Sequence, residues 1–154
     1  MTDIIILFCT SLLGFIVGQA WENHQIRKER LYSDLYQFVV KFRANIKLNK
    51  LVLFDFLNEF NLSASNDFVL CSNSILVKKS CNCRLVESNE LNYIYKFFNG
   101  LNAQNHKELL DHLDFFCDYF SSMLSQVRSD NKHKARLGQK LGLLCGVIVG
   151  LVLI

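Results

Sequence analysis

All 17 lysines and arginines of the 154-residue chain lie between Arg27 and Lys140, and the two ends beyond them are almost without charge. The first 20 residues carry one charged side chain, Asp3, and the last 14 carry none. Ile4 to Ala20 is a 17-residue uncharged run, close to the roughly 20 apolar residues that cross a bilayer core, and Trp21 follows it as an interface anchor. Leu141 to Ile154 is shorter, at 14 residues. Begun at Leu137 it reaches 18, provided Lys140 lays its aliphatic stem along the helix and keeps its ammonium among headgroups. Two transmembrane helices, 1–21 and 137–154, are therefore expected. The basic residues Arg27, Lys28 and Arg30 follow the first span, and Lys132, Lys134, Arg136 and Lys140 lead into the second. By the positive-inside rule this arrangement places residues 22–140 in the cytoplasm and both termini outside. A cleaved signal peptide would need its basic residues ahead of the apolar run, where this chain has Met-Thr-Asp.

Six of the seven glycines fall at four-residue spacing: Gly14 and Gly18 in the first run, and Gly138, Gly142, Gly146 and Gly150 along the second. That spacing lines one stripe of a helix with positions lacking a side chain, the device by which helices pack backbone to backbone in lipid. The stripe predicts helix packing but leaves open whether the partner is the other span, a second copy or another protein.

Between the runs the periodicity is helical and proline is absent. Leu31, Leu35, Phe38, Phe42 and Ile46 repeat every three or four residues, predicting a helix that leaves the first span and ends near Lys47. Leu53, Phe56, Leu57 and Phe60 suit a short helix ending near Asn61. The pattern fails over 62–87, where serines, asparagines and the branched run Ile75-Leu76-Val77 suggest a loop holding one short, poorly defined element. Ser88 to Phe98 reads as a helix capped by Ser or Asn and ended by Gly100. Leu109, Leu113, Phe116, Phe120, Met123 and Val127 line a long final helix. Its Asp111, Asp114 and Asp118 read as a solvated face rather than a paired-carboxylate site. If one helix leaves the membrane near residue 21 and another returns near 140, partners at equal height have numbers summing to roughly 161. The apolar stripes then match, and Lys41, Arg43, Lys47 and Lys50 come level with Asp118, Asp114 and Asp111. The expected fold class is all-α, a membrane-anchored antiparallel helical bundle between an N-terminal and a C-terminal transmembrane helix.

Little in the chain points to catalysis or to a cofactor. It has no phosphate-cradling glycine loop, no Gly-x-Ser-x-Gly elbow and no His-Glu-x-x-His motif. Cys81 and Cys83 are separated by one residue and His106 and His112 by six, which suits neither a zinc knuckle nor a single helical face. Cytoplasmic thiols stay reduced. A net charge of +3, with no concentrated basic face, argues against nucleic acid as a partner. The expectation is a protein that is not an enzyme and needs no cofactor or metal.

Several segments resemble the stage III sporulation protein AB family of endospore-forming bacteria. They are Leu13-Gly14-Phe15, the basic stretch Arg27-Lys28-Glu29-Arg30, the leucine-patterned helix from Leu31 to Ile46, and Lys134-Ala135-Arg136-Leu137-Gly138-Gln139-Lys140-Leu141-Gly142 leading into the apolar tail. The family's prolines after the first cytoplasmic helix are absent, and its Leu-Gly-x-Ser-Asp turn stands here as Leu101-Asn102-Ala103-Gln104-Asn105. The family is similar to the cytoplasmic half of the type II secretion platform protein. The resemblance implies a platform or scaffold in the channel complex between mother cell and forespore, needed for endospore formation and placed in the mother-cell membrane facing the forespore. Its implied partners are the membrane, a secretion-type ATPase of the stage III sporulation protein AA type, other channel proteins of the complex and possibly further copies of itself. The alternative from another class is a small holin-like, pore-forming membrane protein.

Overall fold

The computed structural model describes residues 2–48, 52–78, 83, 85–101 and 105–153, with side-chain environments for all of these except 2–7, 77–78, 133–139 and 153. Among the described residues all regular structure is helical: α1 (Thr2–Lys47), α2 (Leu53–Asn61), α3 (Asn66–Lys78), α4 (Ser88–Gly100) and α5 (His106–Leu153). The chain forms two compact units, one of residues 1–27 with 126–154 and one of residues 28–125, and α1 and α5 contribute to both.

The core of the 28–125 unit is aromatic. From α1, Leu31, Tyr32, Leu35, Phe38, Val39 and Phe42 are buried. This stripe is wider than the one expected, because positions 32 and 39 lie beside 31, 35, 38 and 42 on a helix of 3.6 residues per turn. Ile46, expected in the core, is only half-buried, as is Leu109 on α5. Phe38 is the centre. Its ring lies 5.2 to 6.2 Å from those of Phe42, Phe56, Phe60, Phe68, Phe97 and Phe98, which brings α1 together with α2, α3 and α4. Phe97 carries the cluster on to α5, with centroids 5.3 Å from both Phe116 and Phe120. Leu113 is also buried there, while Met123 is half-buried and its neighbour Leu124 takes the inward position.

The helix ends follow from local hydrogen bonding. α2 stops where Ser63 and Ala64 turn back to the Phe60 carbonyl, 3.0 and 3.1 Å away. α3 starts where the Ser65 hydroxyl accepts from the Phe68 amide, and the Ser65 amide donates to Asp34 Oδ2 of α1 at 2.9 Å. The loop expected over 62–87 is thus in large part a helix. Phe68, Cys71, Ser72 and Ile75 are its buried face, a 3–4 spacing hidden in the sequence because a cysteine and a serine occupy two of the positions. α4 also begins differently from expectation. Its N-cap is Glu87, whose amide donates to Glu90 Oε2 at 3.2 Å, so a capping box replaces the expected Ser or Asn. Gly100 is its last residue, and a side chain there would overlap the His112 imidazole. That close approach lets His112 Nε2 come within 3.0 Å of the Phe97 carbonyl at the end of α4. α5 opens on Asn105, whose side chain accepts from the Lys107 amide and donates to Glu108. Positions 102–104 of the Leu101–Asn105 turn, and Lys50, lie outside the described residues.

Phe38→Ala should lower stability by about 4 kcal/mol, the range for emptying a large aromatic site in a packed core, as measured by urea denaturation. Phe54→Ala, at a position 65% exposed, should stay within about 0.5 kcal/mol of wild type. Equal effects would show that Phe38 is not the keystone of the bundle.

Candidate functional site: a glycine-lined helix crossing

The two glycine stripes meet each other. Within the unit of residues 1–27 and 126–154, a Cβ built on Gly14 would overlap the Gly142 carbonyl oxygen, and one on Gly142 would overlap the Gly14 carbonyl oxygen. A Cβ at Gly146 would stand 2.6 Å from the Thr10 carbonyl oxygen and 2.9 Å from Ser11 Cα. Gly18 and Gly150 are buried, and Gly18 Cα is 3.3 Å from the Cβ position of Gly142. Gly138 lies outside the described side-chain environments. The partner of each stripe is therefore the other helix of the same chain. Because the overlapping atoms are backbone, no rotamer change can make room for a larger residue.

Around this crossing the usual order of sizes is reversed. The smallest residues are inside, while Phe8, Val17 and Val152 are 67%, 68% and 81% exposed and Leu13, Leu144 and Ile148 are also open. The glycines leave an apolar groove of about 460 Å³ beside the contact, bordered by Leu13, Val17, Leu141, Cys145 and Val149, with Thr10 at its edge. Farther along, Asn131 Nδ2 donates to the Gln25 carbonyl at 3.3 Å and ties the polar ends of the same two helix segments. Val127 is buried and Trp21 is 40% exposed. Among the described residues no helix is long and apolar enough to cross a membrane. The expected spans 1–21 and 137–154 extend beyond the described side chains, which omit Ile4 to Leu7, those of 133–139 and Ile154.

The basic residues flanking the two apolar runs divide. Arg27, Arg30, Lys132 and Lys140 are exposed, and Lys134 and Arg136 lie outside the described side chains. Lys28 is drawn into the 28–125 unit instead. Its ammonium is 3.0 Å from Glu90 Oε2 and 6.0 Å from the Tyr32 ring centroid. Tyr32 is wholly buried beside this pair, and burial first, then the Glu90 carboxylate, holds its phenol far above the ordinary value. The sequence reading missed Glu90 and Tyr32; the capping-box spacing from Glu87 was the available signal.

Of the acidic stripe on α5, only Asp114 turns inward. Arg43 Nη2 donates to its Oδ2 at 3.0 Å, with Nε 2.6 Å from Oδ1, so one carboxylate expected on the solvated face is half-buried in an ion pair. Next to it, burial and the carboxylates of Asp118 and Asp114 push the Cys117 thiol up against the opposing pull of Arg43, which lowers the thiolate fraction and with it the reactivity. None of the described cysteines forms a disulfide, and no described group of three His, Cys, Asp or Glu residues is placed to hold a metal. Cys81 lies outside the described residues.

Gly142→Leu should separate the crossing. A disulfide between Leu13→Cys and the native Cys145, which border the same groove, in a background without the other thiols, should close readily in the otherwise unchanged chain and at least tenfold more slowly with Gly142→Leu added, followed by gel mobility. Val152→Leu, on the exposed side, should leave the rate unchanged. Equal rates in all three would show that the glycine contact does not hold the helices together.

No curated protein and no solved structure matches the chain. A family model described as protein of unknown function (DUF4080) matches residues 6–137; it covers well over half of the sequence, and the chain belongs to that family.

Proposed function

We propose that the protein is a non-catalytic membrane scaffold, with the glycine-lined helix pair as its anchor and the aromatic bundle as a docking domain. The observation that carries this reading is the reversed packing of the 1–27 and 126–154 unit. Water favours large apolar side chains inside, whereas in lipid they can face the solvent and close backbone contact through small residues supplies the packing. An exposed Phe8, Val17 and Val152 around a glycine interior suits lipid. The uncharged runs in the sequence, 17 residues from Ile4 and 14 from Leu141, support the same reading. Trp21 and the exposed Arg27, Lys132 and Lys140 sit where interface anchors belong.

The resemblance to stage III sporulation protein AB supplies the rest of the proposal. The scaffold would serve the channel complex between mother cell and forespore, with a secretion-type ATPase docking on the bundle. Membranes from cells producing the full chain should retain it through carbonate extraction, and Ile16→Lys with Ile148→Lys should release it. Recovery of the parent in the soluble fraction would sink the anchor. Affinity purification from sporulating cells should bring down a secretion-type ATPase; loss of that ATPase with membrane retention intact would leave the anchor and remove the sporulation role.

A further inference from the structure

Charge in the 28–125 unit is segregated by helix. Between Asp34 and Asp55 every charged residue is basic, namely Lys41, Arg43, Lys47 and Lys50, and between Lys107 and Arg128 every one is acidic, namely Glu108, Asp111, Asp114 and Asp118. Equal heights along the two helices would let these neutralise each other within one chain. Among the described residues of these two sets, one pair forms, Arg43 with Asp114. Lys41 and Lys47 on α1 and Asp111 and Asp118 on α5 remain exposed.

The Lys41 ammonium lies 5.4 Å from the Phe60 ring centroid, a contact that leaves its charge unneutralised, and each of these sets of charges flanks exposed apolar surface. On α1, Val40, Ala44 and Leu48 follow at i, i+4 and i+8, so they form one ridge. Val40 is 41% and Leu48 62% exposed, Ala44 between them is small, and Lys41 and Lys47 stand on opposite flanks of the ridge. On α5, Asp111, Phe115 and Asp118 follow at i, i+4 and i+7 on one face, with Phe115 58% exposed and braced edge-on by Phe116 at 5.0 Å. Lys41 and Lys47 are separated by about 9 Å of helix rise and Asp111 and Asp118 by about 10.5 Å. The two faces are therefore complementary in charge sign and in shape, since a projecting ring on one meets a dip at alanine on the other.

We infer that the α5 face of one copy docks on the α1 face of a second copy, with Phe115 seated over Ala44 between Val40 and Leu48, and Asp111 and Asp118 paired with Lys41 and Lys47. Such a contact joins two different surfaces. Each copy that donates its α5 face keeps its own α1 face available, so the association continues into a ring or a row instead of stopping at a two-fold dimer. The inference rests on the 28–125 unit and not on the membrane reading.

The test uses the full chain in detergent and two charge-reversed variants: Lys41→Glu with Lys47→Glu, and Asp111→Lys with Asp118→Lys. Sedimentation velocity at about 0.05 M salt should show the parent as oligomers that weaken at about 0.5 M, because exposed charge pairs are screened. Each variant alone places like charges against each other and should bind itself on the order of a hundredfold more weakly, like-charge juxtaposition costing several kcal/mol and tenfold corresponding to about 1.4. Mixing the two restores opposite charges at every contact and should restore the oligomers. All four positions are exposed, and an unchanged circular dichroism spectrum confirms that each variant is folded. A parent that is monomeric at both salt concentrations, or variants that oligomerise alone as the parent does, would overturn the proposal.

Discussion

The bundle of residues 28–125 depends on one ring. Phe38 touches aromatic side chains of α2, α3 and α4, and through Phe97 the cluster extends to Phe116 and Phe120 of α5. Three of the elements brought together this way are short, with 9, 13 and 13 residues, and helices of that length are marginal alone in water. Their stability comes from burying an aromatic face, since each tilted or edge-on ring pair adds about 0.5–1.5 kcal/mol beyond area burial. Polar fixings then choose the arrangement. Asp34 holds the turn before α3, Lys28 holds Glu90 at the start of α4, and His112 sits against the end of α4 because Gly100 leaves it room.

A different physics governs the unit of residues 1–27 and 126–154. There the contact is glycine on backbone, with little apolar area to bury between the helices. In water such a contact would be weak, because the exposed phenylalanine, leucine and valine side chains would do better by turning inward. In lipid the outside is already apolar, and the advantage passes to the closest backbone approach. On the membrane reading proposed above, the same chain carries two packing rules, and the change between them falls near the exposed Arg27 and Lys132.

The sequence made one part of this legible and hid another for identifiable reasons. α2 could be bounded from Leu53 to Asn61 because four large apolar residues mark its face. α3 could not, because Cys71 and Ser72 take two of its inward positions and interrupt the run of large apolar residues by which a helix face is recognised, so that the branched run at Ile75 reads as part of a loop. The ion pair of Arg43 with Asp114 followed from counting helix rise, since both long helices are continuous through it. Lys28 with Glu90 did not, because it depends on where a short helix docks. His112 invited a question about metal spacing, whereas its work is to meet the Phe97 carbonyl. The glycine stripes announced a close contact, and only the structure shows that each is the other's partner.

That last result changes what the remaining surfaces are for. Once Gly14 and Gly18 are satisfied by Gly142 and Gly146, the stripes are no longer available to recruit another chain. Assembly must then use side chains outside the crossing. The groove beside it offers mainly apolar walls, with Thr10 at its edge, and so little to select a partner by. The charges of the 28–125 unit offer selectivity, because Lys41 and Lys47 against Asp111 and Asp118 define both a partner and a direction. A chain that consumes its glycine contact internally, and keeps its unneutralised charges on two separate faces, has placed its means of association in the bundle.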